Sequence, residues 1–170
     1  MKNINKDLLR RGLPHFIAVA VFLVVAGIYC RPVVFNNKVL EQEDVMQWEG
    51  MSHNSFQYKE THGHFPLWSN SMFSGMPAFQ IAMDTQSVSI PNLFYGLLTF
   101  WLKKPASFFF LACICFYFLS GVLRTNPYVG IIGSLAYAYA TYNAVIVAVG
   151  HDTKMQSIAL MPGEIGRAHV

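Results

Sequence analysis

The sequence predicts an all-α polytopic membrane protein, and three observations carry that prediction. Of the 170 residues, 54% are hydrophobic and 12% are charged, whereas soluble domains average about 25% charged residues. The apolar residues fall into long uncharged runs, several of them long enough for a helix to cross a bilayer. Basic residues precede the first run, as is typical of the cytoplasmic side of a membrane. This composition excludes a disordered chain, and a net charge of +3 spread along the sequence excludes a nucleic-acid-binding protein.

The first apolar run predicts a transmembrane helix over residues 15–35. The preceding residues 1–14 carry two Lys and two Arg against a single Asp, so the positive-inside rule places this N-terminal segment in the cytoplasm. A cleaved signal peptide is the alternative interpretation, because it also combines a basic start with an apolar stretch. The run is at the upper length limit for such a peptide, which favours a retained span.

The remaining segments follow from the same alternation of apolar runs and polar turns. Residues 36–91 are polar and are predicted to form a long extracytoplasmic loop, where function is usually carried. Residues 92–104 are apolar but too short to span, so we expect a helix in the membrane interface, with packing in the core as the alternative. The other predicted segments are a second span at 105–123, a cytoplasmic turn at 124–128, a third span at 129–149, an extracytoplasmic loop at 150–154 and the start of a fourth span at 155–163.

The last seven residues, 164–170, read EIGRAHV, which matches the translation of a common sequencing adapter. We therefore expect an adapter-derived tail after an N-terminal fragment of a longer membrane protein. Such a fragment is expected to be inactive alone. A genuine short C-terminal segment is the alternative.

Two groups of charged residues are candidates for chemistry. Glu43 and Asp44 follow the first span by roughly ten residues, and a carboxylate there can accept a proton from a hydroxyl or hold a metal. His151 and Lys154 directly follow the third span, and at that position they can bind a phosphate. Alternatively, the two acids are only solvated residues of the loop. Lys154 can likewise be a lysine at the end of a span whose side chain extends to the membrane interface.

A third candidate is the loop segment 66–77, in which Trp68, Asn70, Gly75 and Pro77 stand out. Gly and Pro fix turns, and an aromatic side chain can line a groove. Anchoring of the loop is the alternative role. No metal site is predicted, because the His62 and His64 pair has no further ligand motif nearby, and the three cysteines lie in apolar runs and read as buried free thiols.

Four stretches, EQEDVMQWEG, PLWSNSMFSGMPAFQI, FFFLACICFYFL and the run ending in GHDTKM, together resemble the YfhO family of large bacterial membrane proteins, in the version found in Bacteroidetes-type bacteria. That family is grouped with the GT-C glycosyltransferases. The resemblance implies a multi-pass protein of the bacterial inner membrane and the N-terminal part of a GT-C-like helical bundle with a large first extracytoplasmic loop.

The resemblance also implies a function. The full-length protein would be a hexosyltransferase that moves a sugar from a polyprenyl-phosphate carrier to a polymer of the cell envelope, with membrane lipids around it and no nucleic acid. Asp44, or Glu43, then takes the place of the catalytic base, and His151 and Lys154 bind the lipid phosphate. The segment with Trp68 lines an acceptor groove. No organic cofactor is implied, and the need for a divalent metal stays open.

Two alternatives from other classes remain at this point. One is a transport or assembly protein of the cell envelope whose loop binds a partner or polymer without chemistry. The other is a scaffold in which the acids of the loop only interact with water.

Overall fold

The structure is a computed structural model that describes residues 2–82 and 90–170, and the side chains of residues 12–82 and 93–170. Met1 of the predicted cytoplasmic segment and residues 83–89 of the predicted loop lie outside the described residues. The chain divides into two compact units. Unit 1 contains residues 1–40 and 94–170, and unit 2 contains residues 41–93. The chain is mostly helical, as the sequence predicts.

Unit 1 begins with α1 (Lys2–Tyr29), which continues into the short helix α2 (Arg31–Val34) after a turn at Cys30. Within the described residues, α1 is the one continuous helix that is long and apolar enough to cross a membrane. Its buried side chains form a narrow stripe at a spacing of four residues, Ala18, Phe22 and Ala26. Large apolar side chains are exposed elsewhere on its described part, among them Phe16, Val24 and Ile28.

The centre of unit 1 is α5 (Ala106–Val122), an uncharged helix that lies in the predicted second span. Its first eight residues are all buried, because three helices pack around it: α1, α6 (Pro127–Ala138) and α8 (Asp152–Ala168). These buried aromatic and aliphatic side chains form the core of the unit. The helix before it, α4 (Ile90–Leu98), is shorter than the predicted interfacial helix at 92–104.

The predicted third span at 129–149 is two helices, α6 (Pro127–Ala138) and α7 (Thr141–Val149), bent by 41°. Ala140 takes an extended conformation that ends the helical hydrogen bonding. The buried Asn143 amide donates to the carbonyl oxygens of Tyr137 (2.8 Å) and Ala138 (3.2 Å). These are carbonyls of the kind that a helix end leaves unpaired, so Asn143 stabilises the break.

The last helix, α8 (Asp152–Ala168), packs against α5. Small residues allow a close approach, because a Cβ added at Gly166 lies 2.9 Å from the Phe118 ring and one at Gly163 lies 3.2 Å from the Cys115 sulfur. The helix continues past the boundary predicted between residues 163 and 164.

Unit 2 has an ordered core where the sequence predicts a loop. It contains α3 (Glu43–His62), a two-stranded antiparallel hairpin of β1 (Trp68–Ser69) and β2 (Met76–Pro77), and a 3₁₀ turn at Ala78–Gln80. The Trp48 indole donates a hydrogen bond of 2.6 Å to the carbonyl oxygen of Ile81 and so ties α3 to the chain that follows the hairpin. The Phe56 ring packs edge-on against both Trp48 and Phe65.

Candidate functional site

Both predicted catalytic carboxylates lie in the first turn of α3. Gln42 is the N-cap residue, and Glu43 and Asp44 follow it. Asp44 is half-buried and Glu43 is exposed. Negative side chains are stabilised at this end of a helix by the partial positive charge of its unpaired N–H groups. The other end of α3 carries Lys59 and His62 in its last turn, where positive charge is favourable for the same reason.

The hairpin brings together three of the four predicted loop residues. Trp68 lies opposite Pro77 in the antiparallel register. Gly75 lies against the Trp68 indole, because a Cβ added at Gly75 is only 2.6 Å from the indole Nε1. The φ of Gly75 is 116°, which side-chain-bearing residues rarely adopt. The Trp68 indole can therefore lie in this place only because position 75 is a glycine.

A groove runs between α3 and the chain around the hairpin, and we call it the α3 groove. One cavity of about 360 Å³ is lined by Asn54, Ser55, Tyr58, Pro66, Trp68, Ser69, Asn70 and Ser71. A second cavity of about 400 Å³ shares Ser71 and is also lined by Gln47, Gly50, Met51 and Met72. The groove thus includes the predicted residues Trp68 and Asn70, and none of its lining residues is charged.

The helical repeat relates the carboxylates to this groove. Residues three or four apart lie on one face of a helix, and Gln47, Met51, Asn54 and Tyr58 follow that spacing along the groove. Gln47 lies four residues after Glu43 and three after Asp44. One face of α3 therefore begins with a carboxylate pair and continues with neutral amide, hydroxyl and aromatic groups.

The chemistry of the groove suits an uncharged polar ligand. Amide and hydroxyl groups both donate and accept hydrogen bonds, and the Trp68 and Tyr58 rings offer flat apolar faces. No lysine or arginine lines the groove to neutralise an anion. The α3 side of this groove was not predicted from the sequence.

The two predicted phosphate ligands lie together in unit 1. His151 is the N-cap residue of α8, and Lys154 is in its first turn. The Lys154 ammonium lies 5.5 Å from the centre of the Tyr142 ring, a cation–π contact with α7. Both side chains are exposed. The carboxylates of α3 belong to unit 2, so the predicted site residues are divided between the two units.

Lys104 also lies in this part of unit 1, a position that the sequence did not indicate. Its ammonium lies 2.9 Å from Asp152 Oδ2 and 5.6 Å from the centre of the Phe108 ring. Nearby, the Tyr95 hydroxyl donates a 2.9 Å hydrogen bond to Ser107. Burial, and to a lesser degree the charge of Asp152, raise the pKa of Tyr95 against the opposing effect of the Ser107 bond. The phenol is therefore neutral and acts as a donor at physiological pH.

No arrangement for a metal ion is found in the described part of the chain, where no three His, Cys, Asp or Glu side chains come together. The His62 ring stacks on Tyr58 with 3.9 Å between ring centres, and its Nδ1 lies 2.7 Å from the Thr61 hydroxyl. Cys30, Cys113 and Cys115 are buried free thiols.

Comparison with protein-family models, with curated proteins and with solved structures gives no significant match to this chain.

Replacing Gly75 by Ala is expected to destabilise unit 2 by roughly 1–3 kcal/mol, because a side chain at positive φ is strained and its Cβ collides with Trp68. The matched control is Gly50→Ala on α3, where nothing lies within 4 Å of an added Cβ. This change is expected to stabilise by up to about 1 kcal/mol, since alanine favours a helix interior. Thermal unfolding followed by tryptophan fluorescence measures both. Equal effects of the two variants would show that Gly75 does not hold the indole.

Proposed function

We propose that the chain forms part of a multi-span glycosyltransferase of the bacterial inner membrane, in which α1, α5 and the bent pair α6–α7 cross the bilayer. The enzyme transfers a sugar from a polyprenyl-phosphate carrier to an extracytoplasmic acceptor. The resemblance of the sequence to the YfhO family supports the class of reaction. The features of α1 support the membrane placement, and those of α3 support the chemistry.

The surface of α1 supports a membrane placement. An α-helix on a water-facing surface has a polar side, but α1 exposes apolar side chains such as Phe16 (78% exposed) and Ile28 (70% exposed). Burial against the rest of the unit is limited to the stripe through Phe22. Lipid chains cover such a surface without the free-energy cost of exposing it to water.

One observation carries the proposed reaction: a carboxylate pair begins the same face of α3 that the uncharged α3 groove follows. A neutral sugar polymer offers many hydroxyls and no charge, which matches the amide, hydroxyl and aromatic lining of the groove. The acceptor polymer lies in this groove with its reacting hydroxyl at the carboxylate end.

The chemistry then follows from a general base. Asp44 accepts the proton of the acceptor hydroxyl while the hydroxyl oxygen forms a bond to the anomeric carbon of the donor sugar. The bond between that carbon and the lipid phosphate oxygen breaks, and its electron pair leaves with the phosphate. A cationic group beside the leaving phosphate would stabilise the negative charge that develops on it.

A second candidate function is a binding protein of the cell envelope that holds a polymer without chemistry. The position of Glu43 and Asp44 favours it, because acids in the first turn of a helix stabilise that helix and need no catalytic role. The two functions share the α3 groove and differ in the reaction.

The deciding experiment uses proteoliposomes that contain the full-length protein, a radiolabelled lipid-linked sugar and an oligosaccharide acceptor. Release of polyprenyl phosphate together with labelling of the acceptor is the expected result. Acceptor binding without either product would exclude the transferase and establish the binding protein.

The membrane topology makes a separate prediction. A cysteine at Gln57, which is exposed on α3, is expected to react with an impermeant maleimide in intact spheroplasts. A cysteine at Thr125, between α5 and α6, is expected to react only after permeabilisation. The three native thiols are buried and should give little background. Labelling of Thr125→Cys but not of Gln57→Cys in intact spheroplasts would reverse the proposed orientation.

A further inference from the structure

Two hydrogen bonds bring three lysine-containing segments to one end of unit 1. The Lys103 ammonium donates to Asn37 Oδ1, and Lys104 pairs with Asp152 at 2.9 Å. Residues 36–38, 103–104 and 151–154 therefore lie at the same end of the unit, and we call them the cationic end. Its four lysines against one carboxylate leave a net charge of +3. The lysines are Lys38, Lys103, Lys104 and Lys154.

Two exposed aromatic residues precede the pair Lys103 and Lys104 and are separated from it by Leu102. Phe100 is 60% exposed and Trp101 is 67% exposed. Both have φ of 51°, in the left-handed region that is strained for aromatic residues. The chain is held there by a hydrogen bond of 2.9 Å from the Trp101 N–H to the carbonyl oxygen of Gly96. The indole also lies against Gly96, where an added Cβ is 2.8 Å from Nε1.

This order of residues matches the layers of a membrane surface. Aromatic rings are enriched at the headgroup level, and lysines beside them reach the phosphates. Strong exposure of two large rings is unfavourable in water and favourable in the interface. The backbone geometry therefore leaves Phe100 and Trp101 exposed to the interface shortly before the lysines.

We propose that the cationic end binds the phosphate of an anionic phospholipid headgroup, with Lys104 as its main contact and Asp152 as the internal counter-ion that the phosphate displaces. The Lys104 side chain is 64% exposed and keeps N–H donors beyond the one that Asp152 uses. A lipid phosphate brings the same charge as Asp152 together with acyl chains that cover Trp101. The proposal rests on the membrane placement in the proposed function and not on the transfer of a sugar.

The test places the whole chain in nanodiscs of equal phosphatidylglycerol and phosphatidylcholine, and native mass spectrometry measures which lipid stays bound. The expected preference for phosphatidylglycerol is about tenfold, as several lysines near an anionic surface provide. Lys104→Ala is expected to remove most of that preference. Arg124→Ala, which removes a cation from the turn after α5, is the matched control and should leave the preference unchanged.

A charge-neutral double variant separates a specific contact from net charge. Lys104→Ala with Asp152→Asn keeps the net charge of the wild type, so recovery of the preference would overturn a specific role for Lys104. Asp152→Asn alone is expected to bind phosphatidylglycerol at least as tightly as the wild type, because the competing carboxylate is gone. Weaker binding by this variant would overturn the counter-ion role of Asp152.

Other sources of the phosphate are separated by competition. Inorganic phosphate at millimolar concentration is expected to leave the lipid bound, and efficient displacement would overturn the requirement for a lipid. Displacement by polyprenyl phosphate at much lower concentration than by phosphatidylglycerol would assign the site to a sugar carrier and overturn the phospholipid assignment. A chain with the Lys104-dependent preference and no sugar transfer in the proteoliposome assay keeps this inference and loses the proposed function.

Discussion

Asp44→Asn in the full-length protein is expected to lower the rate of sugar transfer by about 10²–10⁴, the usual contribution of a general base. The amide has nearly the size of the carboxylate and cannot accept the proton of the acceptor hydroxyl. Transfer of the radiolabelled sugar to the oligosaccharide acceptor gives the rate, and binding of that acceptor, which the α3 groove provides, should change little.

Two control variants on α3 separate catalysis from helix stability. Glu43→Gln removes the neighbouring first-turn charge and should cost a similar few tenths to 1 kcal/mol of helix stability, with a much smaller loss of rate. Glu49→Gln lies on the opposite face from Gln47 and should have no effect on the rate. A full loss in Glu43→Gln with normal activity in Asp44→Asn would move the base by one residue. Normal rates in all three variants would remove the carboxylates from the reaction and favour the binding protein.

The variant Ala20→Asp tests the membrane placement of α1, and a large effect is expected here too. Ala20 is exposed near the middle of the apolar stretch of α1. A carboxylate at the centre of a spanning helix costs roughly 2.5–3.5 kcal/mol of insertion free energy. The inserted fraction of the chain, measured by carbonate extraction of membranes, is therefore expected to fall strongly.

The matched control is Ala20→Leu, which should insert as well as the wild type. On a helix in water the two variants would behave in the opposite way, since an exposed aspartate is tolerated and an exposed leucine adds apolar surface. A soluble, folded Ala20→Asp protein with unchanged stability would overturn the membrane placement of α1.

The positions of the helices in unit 1 could largely be predicted, because uninterrupted apolar runs are a strong signal. The break between α6 and α7 could not be predicted from the sequence. No Gly or Pro occurs between Gly133 and Thr141, and those residues are the usual signs of a broken helix. The break depends on the side chain of Asn143 and its bonds to Tyr137 and Ala138, and a buried amide in an apolar run has several possible partners.

The candidate site, too, could be predicted from the sequence only in part. Gly75 and Pro77 are residue types that favour turns, and they indicated the region that forms the hairpin. α3 was missed, although acids at Glu43 and Asp44 and a glycine at position 63, after its last residue, are signals of a helix start and end. The pair Lys104 and Asp152 is separated by 48 residues, so local spacing in the sequence carries no information about it.

One helix carries both the carboxylates and the groove, and this has a consequence for the length of acceptor that the proposed enzyme uses. From Asp44 to Tyr58 the helix rises by about 21 Å at 1.5 Å per residue, with the carboxylates at one end. A polymer laid along α3 would bring one sugar to the carboxylates, and its other units would add affinity. The proposed enzyme is therefore expected to favour long acceptors over single sugars.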